Sequence, residues 1–252
     1  QELEVRVQER TAELTEANTN LLHSNRELEQ FAYVASHDLQ EPLRAANSYA
    51  QLLARKYEGN LDAKADKYLG YIREGATRMQ QLINDLLELS RVGTRGKALT
   101  PTDCEPVLRQ VLENLQVAIA ENKAIITHDS LPMVMGDETQ LIQLFQNLIS
   151  NALKFRREES PQIHICAIQQ NNEWVFSIRD NGIGIEAEYF DRIFLIFQRL
   201  HGRSEYPGTG IGLAVCKKIM DRHGGRIWVE SVPGEGTGFY FSLSGVGMGE
   251  EI

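Results

Sequence analysis

Apolar residues recur every seven positions at the start of the chain. This seam consists of Val7, Leu14, Leu21, Leu28 and Ala35, and charged residues fill most of the outer positions. A heptad pattern of this kind predicts a coiled coil over residues 1–30, buried against the same helix of a second chain. A solvated single helix is the alternative, although an apolar stripe with no partner stabilises a lone helix poorly.

The helical pattern continues past the heptads, is broken by a turn and then resumes in a second helix. Glycine is absent before residue 58, and the stretch EGNLD at 58–62 breaks the pattern, with Asp62 placed to cap the next helix. Apolar residues at a 3.6-residue period follow from Tyr68 to about Val92. Residues 31–93 are therefore predicted to form a helical hairpin, and two hairpins from a dimer would form a four-helix bundle.

The pattern changes after a polar stretch at 94–98, which we interpret as a linker. Helical runs are predicted at 104–121, 137–157 and 209–223. Strand-like runs are predicted at 163–169, 173–180, 226–231 and 238–243, in antiparallel hairpins. Residues 99–246 are thus expected to form an α/β sandwich, a mixed sheet with helices on one face, followed by a tail at 247–252. The whole chain is expected to be an α+β multidomain protein.

Composition and charge narrow the classes of function. The 252 residues carry a formal net charge of −9, which argues against a general nucleic-acid binder. No stretch approaches the ~20 apolar residues of a membrane span. Three widely spaced cysteines indicate free thiols in a reducing cytoplasm. The chain begins at Gln1, so we expect it to be cut from a longer protein.

The first candidate site motif is QLFQNLISNALKF, residues 143–155. Asn147 and Asn151 are four residues apart and share one face of a predicted helix. Amide oxygens are hard ligands suited to Mg²⁺, and Lys154 could reach phosphates as a point charge. Two asparagines on a solvated polar stripe are the alternative.

The second motif, IRDNGIGI at 178–185, follows a predicted strand. Gly182 and Gly184 have no Cβ, so a ligand could approach the backbone closely. The Asp180 carboxylate could accept a hydrogen bond from an exocyclic amine such as that of adenine. An ordinary glycine turn is the alternative.

The third motif, GTGIGLAVCKK at 208–218, leads into a predicted helix, whose N-terminal N–H groups favour phosphate. Its glycines, Gly208, Gly210 and Gly212, match neither a P-loop nor a dinucleotide-binding spacing. The segment before it resembles a mobile lid carrying Arg199, His201 and Arg203. Four apolar residues just upstream are expected to anchor the core: Phe190, Ile193, Phe194 and Phe197. Together the three motifs indicate an anionic nucleotide with Mg²⁺.

These stretches resemble the kinase core of a sensor histidine kinase of a two-component system. FAYVASHDLQEPLR at 31–44 resembles the H box, QNLISNALKF the N box, RDNGIGI and GTGIGLA the two G boxes, and DRIFLIF the F box. GEGTGFYF at 234–241 resembles the closing strand motif. Several stretches, including HDLQEPLR and HGGRIWVES, are most similar to the phytochrome-type and related branch.

The resemblance implies a role for each matching residue. His37 would be the phosphoacceptor, oriented by Asp38, and the second half would be a Bergerat-type (GHKL) ATP-binding domain. Asn147 and Asn151 would lie at the Mg²⁺ site and Lys154 at the phosphates. Asp180 would accept from the adenine amine, with Gly182 and Gly184 in its loop. The lid end would contain Gly208, Gly210 and Gly212.

The resemblance also implies partners. The chain would form a homodimer, receive signals from an upstream sensor domain and pass phosphate to an aspartate of a response regulator. Glu41 stands where some members carry the Thr or Asn that supports phosphatase activity. Gly238 replaces a bulkier residue of the closing motif and is expected to loosen that strand. Pro42 predicts a bend near Asp38.

Three matters stay open at the level of sequence. A GHKL-type ATPase clamp would share the nucleotide motifs without needing the H box, and a signalling scaffold would have lost ATP binding. Transfer to His37 could occur within one chain or between two. No metal role is expected for His23, His128, His164, His201 or His223, because no carboxylate or histidine lies at ligand spacing.

Overall fold

The structure is a computed structural model that describes most of the chain. The described residues are 6, 10, 11, 15, 19, 39–57, 63–94, 96–171, 173–200, 202, 205–206 and 208–246. The predicted coiled coil lies almost wholly outside this part, as do Asp62, His201, Arg203 and the tail. His37 and Asp38 also lie outside it. The chain divides into two compact units, Gln1–Ser90 and Arg91–Ile252.

The described part of the first unit is a helical hairpin. Residues 39–57 are helical, here called α1, and helix α2 runs over Ala63–Thr94. The Gln40 amide Nε2 donates to Asn84 Oδ1 at 2.9 Å, so the start of α1 lies beside the later half of α2 and the helices are antiparallel. The predicted hairpin is therefore confirmed. Pro42 lies within α1, and the bend predicted near Asp38 falls outside the described residues.

The second unit contains four α-helices, two short 3₁₀ helices (Ala187–Tyr189 and Arg192–Phe194) and seven strands among the described residues. The α-helices are α3 (Cys104–Asn114), α4 (Gln116–Asn122), α5 (Glu138–Lys154) and α6 (Gly212–Arg222). The strands are β1 (Thr100–Asp103), β2 (Ile125–His128), β3 (Met133–Gly136), β4 (Gln162–Gln170), β5 (Glu173–Asp180), β6 (Ile227–Val232) and β7 (Gly236–Ser244).

Five of the strands form a mixed sheet in the order β2-β4-β5-β7-β6. The β2 and β4 strands are parallel, and the remaining neighbours are antiparallel. The other two strands, β1 and β3, form a separate antiparallel pair. This sheet confirms the predicted hairpins at β4–β5 and β6–β7 and the mixed character of the sheet.

The core of the second unit lies between the sheet and its helices. Phe176 of β5 and Phe241 of β7 face each other in register, and their rings stack at 4.8 Å between centroids. Phe145 of α5 meets both rings edge-on, at 5.9 and 5.5 Å, a preferred arrangement of aromatic pairs. All three side chains are fully buried. The predicted α/β sandwich is confirmed.

Two expectations about elements are wrong in detail. The helix predicted over 104–121 is interrupted at Leu115, whose φ and ψ of −95° and 4° leave the helical range. The break separates α3, which buries Val107, Leu108 and Val111, from α4, which buries none of its residues. The strands β1, β2 and β3 were not predicted, because four residues are too few to establish an alternation.

Candidate functional site

The asparagine motif lies in the last three turns of α5. Asp137 caps the helix, accepting from the N–H of Thr139 at 3.1 Å, and the apolar face of α5 packs into the core. Asn147 and Asn151 are both half-buried on another face. Asn147 Nδ2 donates to the carbonyl of Gly212 at 3.3 Å, which places the first motif against the start of α6. Two of the three predicted motifs are therefore in contact.

Asp180 ends β5 and faces the helices. Its Oδ1 accepts from the N–H of Gly182 at 2.8 Å and of Thr237 at 3.2 Å. The pKa of the Asp180 carboxyl is raised to about 6, because the effect of burial exceeds that of the two N–H donors, which lower it. The carboxylate is thus ionised at neutral pH while its second oxygen accepts no hydrogen bond within the described part of the chain.

The glycines of this turn are required by close backbone contacts. A Cβ on Gly182 would lie 2.3 Å from the carbonyl oxygen of Phe155. Gly184 has a φ of +76°, and a Cβ there would lie 2.2 Å from the carbonyl oxygen of Val232. A side chain at either position would displace the backbone, so both glycines position the turn.

Residues that the sequence analysis missed hold this turn from outside. Arg157 donates to the carbonyls of Asn181 at 3.0 Å and Gly234 at 2.8 Å, and Ser231 Oγ accepts from the N–H of Ile185 at 2.8 Å. Gly236 of β7 has a φ of +122°, and a Cβ there would lie 2.0 Å from the carbonyl oxygen of Asp180. Side chains that bond to distant carbonyls leave no local pattern in the sequence.

The glycine segment before α6 lies beside two cations. The Arg199 guanidinium donates to the carbonyls of Gly208 and Tyr206, the second at 2.6 Å. Gly208 faces Lys154, since a Cβ there would lie 2.8 Å from Lys154 Nζ. Gly210, with a φ of +78°, accepts from the N–H of Phe197 at 3.0 Å. Lys154, Arg199 and the third motif therefore form one cluster.

Lys154 and Arg199 together create a local excess of positive charge. Burial, together with the smaller effect of the neighbouring Arg199 charge, lowers the pKa of the Lys154 ammonium to about 8. Neither cation forms a salt bridge with a carboxylate in the described part of the chain. An anionic ligand would relieve this repulsion, so the cluster suits phosphate.

An open cavity of about 760 Å³ lies next to this cluster. Its wall includes Lys154 of α5, Ile183 of the glycine turn and Tyr206, which lies two residues before the glycine segment. The ring of Tyr206 lies 5.1 Å from the ring of Phe155. The remaining lining residues are Ala118, Asn122, Ser150, Leu153, Arg156, Arg157, Glu158 and Glu205. Of the described residues predicted to bind the nucleotide, Lys154 alone lines this cavity, which therefore does not bring the three motifs together.

Two expectations near the site are corrected. Ile193 is buried as predicted, but the Phe197 side chain is 59% exposed, because its backbone has a φ of +65° and pairs with Gly210 instead of entering the core. Phe190 and Phe194 are half-buried.

Gly238 does not interrupt β7, which pairs on both sides. The ring of Tyr240 fills the space above Gly238, at 3.0–3.3 Å from the position of an added Cβ.

A buried polar network, also unpredicted, fixes the residues before β1. Arg222 of α6 donates to Gln140 Oε1 at 2.6 Å and Asp137 Oδ2 at 3.3 Å, and to the carbonyl of Lys97. Lys97 N–H donates to Asp137 Oδ2 at 2.7 Å. Gln140 Nε2 donates to the carbonyl of Val92 at 3.1 Å. The stretch predicted as a linker is therefore bonded to α5 and α6.

His223 completes that network as a neutral ring. Its Nδ1 lies 2.8 Å from the carbonyl of Ile219 and therefore donates, while Nε2 accepts from the N–H of Asp137 at 3.0 Å. Burial lowers the pKa of His223, in agreement with this assignment. No metal role is needed to explain its position.

Comparisons with known proteins identify this arrangement. Residues 136–245 match the family model for the histidine kinase-, DNA gyrase B- and HSP90-like ATPases, and residues 27–95 match that of the His kinase A (phospho-acceptor) domain. The fold and the site thus define an ATP-binding domain of GHKL type joined to a phosphoacceptor hairpin. The chain belongs to the sensor histidine kinases, in the phytochrome-related branch.

Two relatives and two solved structures are similar to the chain. Cyanobacterial phytochrome A of Nostoc is 56% identical over 92% of the chain, and phytochrome-like protein Cph1 of Synechocystis is 50% identical over 92%. The chain spans 30% and 31% of their lengths. Full-length ShkA with AMPPNP is 28% identical with a TM-score of 0.66, covering 86% of this chain and 46% of ShkA. The ThkA catalytic domain is 26% identical with a TM-score of 0.51, covering 59% and 96%.

Proposed function

We propose that the chain uses ATP and Mg²⁺ to phosphorylate His37 and then passes the phosphoryl group to an aspartate of a response regulator. The observation that carries the proposal is the Lys154–Arg199 pair beside Gly208, two cations without a carboxylate partner among the described residues. They lie next to the Asp180 turn, in a chain that also matches the phospho-acceptor domain. Membership in the histidine kinases supports both halves of the reaction.

Asp180 is proposed to bind the adenine. Its free carboxylate oxygen would accept from the exocyclic amine, and an ionised acceptor makes a stronger hydrogen bond than a neutral one. Gly182 and Gly184 keep the backbone of the turn close to the sheet. The phosphates would then extend towards Lys154, Arg199 and the glycine segment at 208–212.

Asn147 and Asn151 are proposed to hold Mg²⁺. Asn147 uses Nδ2 as a donor to Gly212, so its Oδ1 would be the ligand atom, and amide oxygens are suitable Mg²⁺ ligands. When bound, the ion would neutralise charge developing on the transferring phosphoryl group. The residues present therefore fit the ion that the family implies.

His37 is proposed to be the nucleophile. An imidazole nitrogen would form a bond to the γ-phosphorus as the bond to the β–γ bridging oxygen breaks, so that ADP leaves. Asp38 would hold the other ring N–H and accept its proton. In the second reaction the nitrogen–phosphorus bond breaks as a regulator carboxylate oxygen bonds to phosphorus.

The proposal includes a dimer and a domain division. Residues 31–93 would form the dimerisation and phosphotransfer domain, 94–98 the linker and 99–246 the ATP-binding domain, behind a coiled coil at 1–30. An upstream sensor would act through that coiled coil in the cytoplasm.

Glu41, exposed on α1, is proposed to leave the chain without strong phosphatase activity. No described helix is long and apolar enough to cross a membrane.

The decisive experiment incubates the purified chain with Mg²⁺ and γ-labelled ATP and measures acid-labile phosphate on the protein. We expect labelling of the parent chain and its loss in His37→Gln. His128→Gln, which changes an exposed histidine of β2, is the matched control and should label normally. Labelling that persists in His37→Gln would refute the acceptor, and steady ADP release without a phosphoprotein would instead support an ATPase clamp.

A further inference from the structure

Three potential metal ligands converge on the face of the sheet opposite the helices. Asp129, His164 and Cys166 each offer one ligand atom, and these atoms all lie within 4.8 Å of one another. His164 Nε2 and Asp129 Oδ2 are 3.7 Å apart. The sequence predicts no metal role for His164, but the pairing of β2 with β4 brings the distant Asp129 carboxylate beside it. We propose that these residues form a binding site for a divalent ion of the zinc class, separate from the Mg²⁺ site proposed above.

The backbone fixes the relative positions of the three residues. His164 and Cys166 are two apart on β4 and therefore point to the same face. The N–H of Asp129 donates to the carbonyl of Ile165 at 3.0 Å, which holds the end of β2 against β4. His164 and Cys166 thus lie on β4, and the third ligand residue, Asp129, is hydrogen-bonded to the same strand.

The contacts around the ligands leave the metal-binding atoms available. Thr127 Oγ1 lies 2.9 Å from His164 Nδ1; if Nδ1 donates to it, Nε2 keeps its lone pair facing Asp129. Outer-shell bonds of this kind orient the histidines that bind metals. Ser177 Oγ lies 3.1 Å from Cys166 Sγ. Arg179, opposite His164 on β5, turns away and donates to the Tyr240 hydroxyl at 3.1 Å.

The ligand chemistry and spacing favour Zn²⁺. Bonds of about 2.0–2.3 Å in a tetrahedral site separate ligand atoms by roughly 3.3–3.8 Å. The histidine–aspartate pair already has this separation, and the three ligand atoms lie within 4.8 Å of one another, about 1 Å more than a bound ion requires. The His164 and Asp129 side chains are 46% and 67% exposed, so an ion can enter from solvent and keep a water as its fourth ligand.

Binding would release a proton. The Cys166 thiol would lose its proton as the sulfur–zinc bond forms, while a His164 ring protonated on Nδ1 would ligate through Nε2 without proton loss. Cys104 and Cys216, the other two thiols, are fully buried.

The test titrates the metal-free chain with Co²⁺, whose thiolate complexes absorb in the near ultraviolet, and then displaces Co²⁺ with Zn²⁺. We expect one ion per chain, with the thiolate band lost in Cys166→Ala and the affinity at least tenfold lower in His164→Gln and Asp129→Asn. Thr127→Val should weaken binding about tenfold through His164.

The control variant is His128→Gln, because the His128 ring contacts the backbone carbonyl of Asp129 and the Glu105 carboxylate, not a ligand atom of the three residues. It should bind Co²⁺ like the parent chain. All variants are expected to retain their fold by circular dichroism, since the changed side chains are exposed or half-buried. An absent thiolate band, or binding that survives in Cys166→Ala, would overturn the proposal.

Discussion

The Asp180 carboxylate is buried deeply enough to resist ionisation, yet its proposed partner requires the charged form. Burial raises its pKa from 3.8 to about 6, so deprotonation costs more in the folded chain than in the unfolded chain. The contribution of Asp180 to the free energy of unfolding is therefore largest below pH 4, falls as the pH rises through 6, and stays lower above it. The ionised Asp180 therefore destabilises the unliganded fold, and in the proposed complex its charge would strengthen the hydrogen bond from the adenine amine.

Replacing Asp180 by Asn should separate stability from binding. At pH 7.5 we expect the free energy of unfolding to rise by up to about 3 kcal/mol, from a pKa difference of roughly two units, with no gain at pH 3.5. Affinity for ATP should fall at least tenfold. Urea unfolding and titration with a fluorescent ATP analogue measure the two effects, and Glu235→Gln at an exposed turn should change neither. Unchanged affinity would contradict the assigned role.

Lys154 provides a second residue-level prediction. With a pKa of about 8, roughly half of the ammonium groups lack a proton at pH 8. A bound triphosphate would raise this pKa, so ATP binding should take up as much as about half a proton per site at pH 8. Calorimetry in buffers of different ionisation enthalpy measures the uptake.

The matched variant for this prediction is Lys154→Arg. The guanidinium stays protonated at pH 8, so phosphate binding should persist in part while the proton uptake disappears. Equal uptake in the parent and the variant would show that another group titrates.

At the level of elements, the longer segments were predictable and the short ones were not. The 17 residues of α5 and the nine of β7 carry several repeats of their hydrophobic period. The four-residue β1 does not. The three nucleotide motifs were recognised because each is local, whereas the Arg222 network joins residues up to 125 positions apart. A local sequence pattern cannot reveal a network whose members lie so far apart in the chain.

Removing Arg222 should destabilise the second unit. The Asp137 side chain is only 2% exposed and forms a salt bridge with Arg222 at 3.3 Å, so Arg222→Ala leaves a buried carboxylate short of a cation. We expect a loss of about 2–4 kcal/mol in urea unfolding. Lys217→Ala breaks an exposed pair with Asp221 on the same helix and should cost no more than about 0.5 kcal/mol. Similar losses in both variants would refute the network's importance.

For the whole molecule, the first unit exposes more large apolar side chains than a solvated hairpin requires. On α1 and α2 the exposed set comprises Leu39, Tyr49, Leu52, Leu53, Tyr57, Tyr68, Tyr71, Ile72 and Met79. A surface of this kind marks an interaction site, and the proposed four-helix bundle with a second chain would cover it. The seam of the predicted coiled coil would extend the same interface.

Placing a charge on this surface should weaken the dimer. Ile72, 56% exposed on α2, would be buried in the bundle, so we expect Ile72→Asp to lower the dimer fraction measured by light scattering. Gln81→Asp adds the same charge nine residues later, on the opposite side of the helix, and should leave the mass unchanged. Equal effects of the two variants would argue against this face.

The dimer also permits a test of how the phosphoryl group reaches His37. Mixing a His37→Gln chain with an Asn151→Ala chain produces heterodimers with one intact acceptor and one intact ATP site, on different chains. Labelling of the heterodimer would mean transfer between chains, and its absence would mean transfer within one chain.

The fit of Gly236 against the Asp180 carbonyl has a consequence for mutational surveys. A side chain at Gly236 would press on the backbone that holds Asp180, although Gly236 lies outside all three motifs and is not proposed to touch ATP. A scan of every substitution would therefore mark Gly236 as strongly as a ligand-binding residue. Intolerance at this position would reflect the close packing of β7 against the Asp180 backbone, and not contact with a ligand.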